Sequence, residues 1–153
     1  MNEQQERELF DRLEIRGVVE EYARCADRID NEGLAALFAP DGVLRIFDRG
    51  NPEPVRQRVG RVEISEAIKG LSRYEVTLHL VGNHYVALSG DQATAETYCR
   101  ACHVRPVEGG DTDARENYVM NIRYLDQFVR LPEGWRIAQR ELQLEFTEVF
   151  PVS

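Results

Sequence analysis

Two ionisable residues lie where the surrounding pattern predicts apolar side chains. Asp27 comes near the end of a predicted helix, and His79 lies within a predicted strand. A carboxylate beside an imidazole is the usual pair for moving a proton at neutral pH. If the fold brings them together, they form a site for acid–base chemistry. Two other interpretations stay open: His79 as a core histidine bonded to a backbone carbonyl, and Asp27 as a solvated or loop-capping residue.

A second motif contains possible metal ligands. Cys99-Arg-Ala-Cys102-His103 matches the C-x-x-C-H pattern of covalent haem attachment. The segment is predicted to be a strand, which turns residues i and i+3 to opposite faces, so the two thiols would not share a ligand. The chain also lacks a glycine-rich phosphate loop, a nucleophile elbow and a dinucleotide-binding fingerprint. We therefore expect no haem, no metal and no other cofactor.

The composition predicts a single globular domain over residues 1–153. The chain is 42% hydrophobic and 30% charged, with a net charge of −8. Such an acidic protein would repel a phosphate backbone, so we expect no nucleic-acid and no anionic-membrane partner. No apolar run approaches the roughly 18 residues of a membrane span, and the N-terminus lacks a signal-peptide pattern. We expect a cytoplasmic protein whose three cysteines are reduced.

Helices are predicted in the first half of the chain. Apolar residues recur at helical spacing from Leu9 to Ala26, and Asp30 resembles an N-cap for a second helix, Asn31–Ala39. Pro40 should stop that helix. The next segments are predicted as a strand at Val43–Phe47, a loop or flap at Asp48–Gly60 and a third helix at Val62–Leu71.

The second half is predicted to be β structure. Four long strands separated by turn sequences are expected at Glu75–Leu88, Ala93–Pro106, Arg115–Leu131 and Gly134–Val149. Short turns make successive strands antiparallel. His84 should point away from His79 unless a bulge at Gly82 switches the alternation. The prediction is an α+β fold, with three helices on one face of a curved sheet that encloses a cone-shaped pocket.

Five segments carry a resemblance to a known family. They are Tyr22-x4-Asp27-x2-Asp30, Leu34-Ala-Ala-Leu-Phe38-Ala-Pro-Asp41, Thr77-x-His79-x3-Asn83, Arg123-Tyr-Leu-Asp126-x-Phe-Val-Arg130 and Glu133-Gly-Trp135-Arg-Ile137. In this order they resemble the SnoaL-like branch of the nuclear transport factor 2-like superfamily. The closest functional resemblance is to scytalone dehydratase, hexachlorocyclohexane dehydrochlorinase and bile-acid 7α-dehydratase. The family fold is a cone, with three N-terminal helices packed on a curved, mostly antiparallel sheet around a pocket.

The resemblance implies roles for particular residues. In those lyases an aspartate orients a histidine that acts as the general base, which assigns these roles to Asp27 and His79. Tyr22 resembles an active-site tyrosine of the bile-acid enzyme. The positions that we expect to bind substrate are Tyr98, Asn83, Arg123 and Tyr118. The scytalone enzyme's second catalytic histidine falls near Tyr98 and its second tyrosine near Ala26, so dehydration of scytalone itself is not expected.

Together these features predict a cofactor-independent lyase of the dehydratase type, or an isomerase, acting on a hydrophobic cyclic small molecule. Two alternatives stay open, a non-catalytic ligand-binding module and an assembly subunit like the small subunits of ring-hydroxylating oxygenases. We also expect a homodimer or higher homo-oligomer, since helices can cover only one face of the sheet. The uncovered face should carry Trp135 and Ile137, or Leu142, Leu144 and Phe146, depending on register.

Overall fold

A computed structural model describes the whole chain, residues 1–153. Its helices are α1 (Glu3–Arg28), α2 (Asn31–Ala36) and α3 (Gly60–Ile68), and a 3₁₀ helix over Lys69–Arg73 continues α3. Ile29 caps the C-terminus of α1, and its left-handed backbone (φ 54°) lets its own N–H and that of Asp30 donate to the carbonyls of Ala26 and Cys25. Asp30 then accepts a hydrogen bond from the Gly33 N–H, as expected of an N-cap. None of these helices is both long and apolar enough to cross a membrane.

Six strands form one curved sheet. They are β1 (Phe38–Phe47), β2 (Arg56–Val59), β3 (Val76–Ser89), β4 (Gln92–Pro106), β5 (Arg115–Leu131) and β6 (Gly134–Val152). Their order in the sheet is β2-β1-β6-β5-β4-β3. All neighbours are antiparallel except β1 and β6, which are parallel. The predicted α+β class and the four-stranded meander are confirmed.

The segment between α1 and α3 differs from the prediction in two places. α2 ends at Ala36, and Phe38 already belongs to β1, where it pairs with Ile137 before a shift in register. The segment Asp48–Gly60, predicted as a loop, contains β2, which pairs with β1. β2 has the sequence Arg-Gln-Arg-Val and lacks the apolar alternation that marks a strand, so its strand conformation depends on pairing with β1.

The helices cover the inner face of the sheet, and several residues expected on the outer face lie there instead. Trp135 and Ile137 are completely buried in the core, while Leu142 and Leu144 line an internal cavity. Of that predicted set only Phe146 lies on the outer face, with 53% of its surface exposed. The prediction failed for the other four because two register shifts in the β5–β6 pairing, between Ile137 and Gln139 and between Leu144 and Phe146, switch the alternation of β6 and turn all four inward.

The buried carboxylate of Asp11 connects α1 to the residues on either side of the β5–β6 turn through hydrogen bonds. Asp11 accepts hydrogen bonds from two nitrogens of Arg130, at 2.7 and 2.6 Å. It also accepts one from the Trp135 indole at 3.0 Å. These hydrogen bonds, the one from Arg130 above all, hold the pKa of Asp11 below its ordinary value against the opposing effect of burial. The contact fixes the helix on the sheet and thereby positions its far end, where Asp27 lies.

Candidate active site

Asp27 and His79 are in direct contact although they are 52 positions apart. The Asp27 Oδ1 atom lies 2.6 Å from His79 Nδ1, and the Thr77 hydroxyl donates to the same oxygen at 3.1 Å. Asp27 Oδ2 accepts the backbone N–H of His79 at 3.0 Å. An ionised carboxylate can only accept hydrogen bonds, so Nδ1 of the neutral ring carries the proton. Nε2 is then left with a free lone pair, and it has no hydrogen-bond partner within the protein.

The pair connects the outside of the protein with an internal cavity. Asp27 lines a groove between α1 and β3, whereas His79 lines both this groove and the cavity. Burial alone would raise the pKa of Asp27, but hydrogen bonds from the His79 ring and backbone and from the Thr77 hydroxyl hold it below its ordinary value of 3.8. Asp27 is therefore ionised at neutral pH.

The cavity has a volume of about 560 Å³ and a mostly apolar wall. Side chains of β1, β5 and β6 form one side, among them Leu44, Met120 and Leu142, while α3 and the 3₁₀ helix close the other with Ile68 and Leu71. Volumes of roughly 300–1,000 Å³ are typical of small-molecule sites. The cavity thus has room for a compact ring system beside the free nitrogen of His79.

A second histidine lies beside the first. His103, on β4, is 3% exposed, and its ring centroid is 5.8 Å from that of His79. Its Nδ1 lies 3.0 Å from the Tyr118 carbonyl oxygen, so Nδ1 carries the proton and Nε2 is the free atom. Burial lowers the pKa of His103 below 6.5, and the positive charge of Arg73 acts in the same direction. His103 is therefore neutral at pH 7 and able to accept a hydrogen bond.

Tyr22 lines the cavity above a buried ion pair. Arg140 and Asp126 are completely buried and joined by two hydrogen bonds of 2.8 and 2.7 Å. The Arg140 guanidinium lies 4.1 Å from the centre of the Tyr22 ring and 4.0 Å from that of Tyr124. Burial raises the pKa of Tyr22, and the positive charge of Arg140 partly opposes this rise. The Tyr22 hydroxyl therefore keeps its proton at neutral pH.

Comparison with known proteins assigns this architecture to a family. The family model described as SnoaL-like domain matches residues 7–141, most of the chain. The chain belongs to the SnoaL-like domain family. The uncharacterised protein Rv2910c of Mycobacterium tuberculosis is 28% identical to it over 137 residues, which cover 87% of this chain and 84% of the relative.

Solved structures with this fold have low sequence identity to the SnoaL-like chain. A Novosphingobium aromaticivorans protein with the provisional name scytalone dehydratase is 22% identical, with a TM-score of 0.80 and coverage of 97% of this chain and 93% of the other. A hexachlorocyclohexane dehydrochlorinase, type 2, is 15% identical, with a TM-score of 0.77 and coverage of 95% and 91%. At these identities the likeness concerns the fold, and the predicted nuclear transport factor 2-like architecture is confirmed.

The structure separates the residues that were expected to bind substrate in this SnoaL-like domain. Tyr118 lines the cavity, next to His103. Asn83, Tyr98 and Arg123 lie together in a groove on the outer face of the sheet. They do not reach the cavity, and we remove them from the substrate-binding set.

Two strand features explain why those three side chains point outward. A bulge in β3 between Val81 and His84 leaves Asn83 facing out and turns His84 inward. Tyr98 and Arg123 are paired across β4 and β5 on the outer face. Arg123 is also occupied there by ion pairs with Glu145 and Glu96, at 2.7 and 3.3 Å.

The thiols of the C-x-x-C-H motif do not converge. Cys99 belongs to the buried core, whereas Cys102 is three residues further along β4, on the opposite face. No group of three or more His, Cys, Asp or Glu side chains is placed to hold a metal ion. The third member of the motif, His103, belongs to the cavity instead.

Sequence reasoning missed three polar residues of this site. The position of His103 could have been found, because alternation along β4 places it on the same face as the buried Cys99 and Ala101. Arg140 and Asp126 gave no such signal, since charged residues on strands are normally exposed. Only their pairing across β5 and β6 shows that they are buried together.

Proposed function

We propose that this SnoaL-like protein is a cofactor-independent lyase of the dehydratase type, or an isomerase, acting on a hydrophobic cyclic small molecule. The observation that carries the proposal is the position of His79. Its Nδ1 is held by an ionised carboxylate, its Nε2 has no partner within the protein, and the residue lines an apolar cavity. An oriented neutral imidazole in such a cavity is suited to remove a proton from carbon.

In the proposed elimination, His79 Nε2 takes the proton from the carbon next to the one that carries a hydroxyl group. The C–H electron pair becomes the new double bond, the C–O bond breaks, and the departing hydroxide takes a proton from the Tyr22 hydroxyl to leave as water. The Arg140 guanidinium, 4.1 Å from the ring centre, stabilises the phenolate that forms. The imidazolium of His79, stabilised meanwhile by Asp27, finally returns its proton to Tyr22.

His103 has a different role in this scheme. With Nδ1–H donated to a backbone carbonyl, its neutral ring offers only the Nε2 lone pair to the cavity. We assign it to accept a hydrogen bond from a substrate hydroxyl group and so to orient the substrate relative to His79. In an isomerisation the same geometry would let His79 remove a proton at one carbon and return it at another.

The comparisons support elimination chemistry on this fold. Two structural neighbours carry the names of elimination enzymes, a dehydratase and a dehydrochlorinase. The choice of dehydration for this chain rests on the groups around the cavity, which combine a base, a hydroxyl donor and a hydrogen-bond acceptor.

The test follows proton abstraction and water loss in D₂O. The protein is incubated with a panel of hydrophobic cyclic ketones and β-hydroxyketones, and mass spectrometry detects deuterium uptake next to the carbonyl or loss of water. We expect His79→Ala to lower the rate for a responsive compound by at least about 10²-fold.

His84→Ala is the matched control, because His84 is on the same strand but does not line the cavity. It should keep the wild-type rate. Equal rates for wild type and His79→Ala would contradict the proposal.

A second pair of variants tests the carboxylate. Asp27→Asn keeps the shape but removes the charge that stabilises the imidazolium, so kcat should fall on the order of 10²-fold with the melting temperature nearly unchanged. Asp30→Asn is the control, since asparagine also caps helices and this residue lies only three positions further on. If Asp27→Asn turns over the substrate as fast as Asp30→Asn and the wild type, the Asp27 carboxylate has no part in proton transfer, and the proposed mechanism is contradicted.

A further inference from the structure

The mouth of the cavity is cationic, although the chain carries a net charge of −8. Three arginines, Arg56, Arg58 and Arg73, are among the residues that line the cavity. Asp48 is the one carboxylate in that lining. The local charge is therefore opposite in sign to that of the whole protein.

The register of β2 directs two of these arginines over the cavity. Arg58 pairs with Leu44 and Arg56 with Ile46, and both partners belong to the cavity wall. Because paired residues on neighbouring strands share a face, the two arginines lie on the inner side of the sheet. Gln57, between them, faces the other way and accepts a hydrogen bond from Arg45 at 2.9 Å.

The third arginine comes from the 3₁₀ helix and lies close to the proposed catalytic groups. Arg73 donates a hydrogen bond of 3.1 Å to the Tyr74 hydroxyl, and its guanidinium is 4.9 Å from the centre of that ring. The Tyr74 ring in turn packs on His103, with 4.6 Å between the ring centroids. An anion bound by Arg73 would thus be separated from His103 only by the Tyr74 ring.

None of the three arginines forms an ion pair within the protein. Arg58 donates only to the neighbouring Gln57 carbonyl, at 2.7 Å, and Arg73 only to Tyr74. Several other arginines, such as Arg115 and Arg130, are held by carboxylates at 2.9 and 2.6 Å. Guanidinium groups left unpaired at the mouth of a cavity are suited to bind carboxylate or phosphate oxygens, often with two hydrogen bonds each.

We infer that the substrate carries an anionic group, a carboxylate or a phosphate, on one end of its hydrophobic skeleton, and that Arg56, Arg58 and Arg73 bind this group at the cavity mouth. The inference rests on the proposed function, because it concerns the same cavity. It also sets the orientation of the substrate. The apolar end enters towards His79, while the charged end stays at the mouth, where it keeps part of its hydration.

The test compares three probes that share one aromatic skeleton: 2-naphthoate, 2-naphthyl phosphate and the neutral 2-naphthol. Their affinities are measured by isothermal titration calorimetry at pH 7.5 for wild type, for Arg56→Gln, Arg58→Gln and Arg73→Gln, and for the triple variant. Arg45→Gln is the matched control. It removes the same charge from the strand that pairs with β2, but on the opposite face of the sheet.

We expect at least one anionic probe to bind the wild type roughly 10-fold more tightly than 2-naphthol. Each single variant should weaken that anion about 2- to 5-fold and the triple variant at least about 10-fold, with 2-naphthol changed less than about 2-fold. The anion that binds more tightly identifies the preferred group. Added salt should weaken the anionic probe only.

Equal affinities for the three probes, or equal losses in Arg45→Gln and the triple variant, would overturn the inference. So would a failure of both anions to bind. These results leave the proposed function intact, because proton abstraction is measured separately with His79→Ala in D₂O. Conversely, charge-selective binding together with an unaffected rate in His79→Ala would contradict the lyase and retain the anion site.

Discussion

The three histidines of this chain have different hydrogen-bond partners, and these partners set the chemistry that each ring could perform. His79 is held by a carboxylate, which stabilises an imidazolium formed during proton transfer. His103 is held by a backbone carbonyl. His84 lies 2.8 Å from the Thr97 hydroxyl, and its Nε2 has no partner although it is buried. Only His79 therefore combines a stabilised charged form with access to the cavity.

The two other histidines should make stability depend on pH. Burial lowers the pKa of His103 and of His84 below 6.5 in the folded state. In the window just below 6.5 the unfolded chain binds more protons than the folded chain, so the free energy of unfolding falls as the pH falls. Urea denaturation at pH 7.5 and 5.5 should give a lower midpoint at pH 5.5.

The variants His84→Gln and His103→Gln should each reduce this difference between the two midpoints, because each removes one group that gains a proton on unfolding. Asp27, whose pKa is held below 3.8, changes its protonation only at more acidic pH and so does not contribute to the difference between the two midpoints. A midpoint that stays constant between pH 7.5 and 5.5 would contradict the burial of neutral histidines.

The contact between Asp27 and His79 was predictable because polar residues in apolar surroundings need a partner. A buried polar group without one costs about 1–3 kcal/mol, and the strongest candidates for Asp27 and His79 were each other. The position of Asn83 was not predictable in the same way. Its face depends on the bulge in β3, and Gly82 only suggested that bulge without fixing which residues it displaces. Tyr98 could have been placed on the outer face, because alternation along β4 puts it opposite the buried Cys99.

At the scale of elements, the attachment of α1 to the sheet depends on Asp11. Asp11→Ala should lower the free energy of unfolding by about 1–3 kcal/mol, because it leaves the buried Trp135 indole N–H without a partner and Arg130 with only the exposed Asp91. Asp91→Ala is the control, since Asp91 contacts the same arginine at 2.9 Å but is 71% exposed. Its effect should stay below about 1 kcal/mol. If urea denaturation shows equal decreases in the free energy of unfolding for the two variants, Asp11 is not the residue that attaches α1 to the sheet.

Elements with a clear period were predictable, and those stabilised by a distant partner were not. β5 was predicted with its observed bounds, and β3, β4 and β6 begin within one residue of their predicted starts, because their apolar residues alternate. Pro40 and Gly42 suggested a stop, yet both lie within β1, whose pairing with β6 is set by residues about a hundred positions away. The same holds for β2, which has no apolar pattern of its own.

At the scale of the whole molecule, the outer face of the sheet favours self-association. Apolar side chains that are 45–61% exposed lie along β3 and β6, namely Val76, Leu78, Leu80, Phe146 and Phe150. We propose that this face forms the contact of a homodimer or higher homo-oligomer.

Light scattering at tens of micromolar should give a multiple of the monomer mass of 17.6 kDa. Leu80→Glu should shift the mass towards the monomer, whereas Glu108→Gln, in the exposed β4–β5 turn, should not. A monomer mass for wild type would contradict the proposal.

The parallel pairing of β1 with β6 has a consequence for biosynthesis. β1 is synthesised long before β6, its parallel partner, and the Leu37 carbonyl accepts its hydrogen bond from the distant Ile137 N–H. Asp27 and His79 both precede residue 137 in the sequence, so the two side chains can meet before the cavity has the wall supplied by β6. In a growing chain they would lie in an open cleft. The closed cavity around them should form only after β6 has been synthesised and has inserted between β1 and β5.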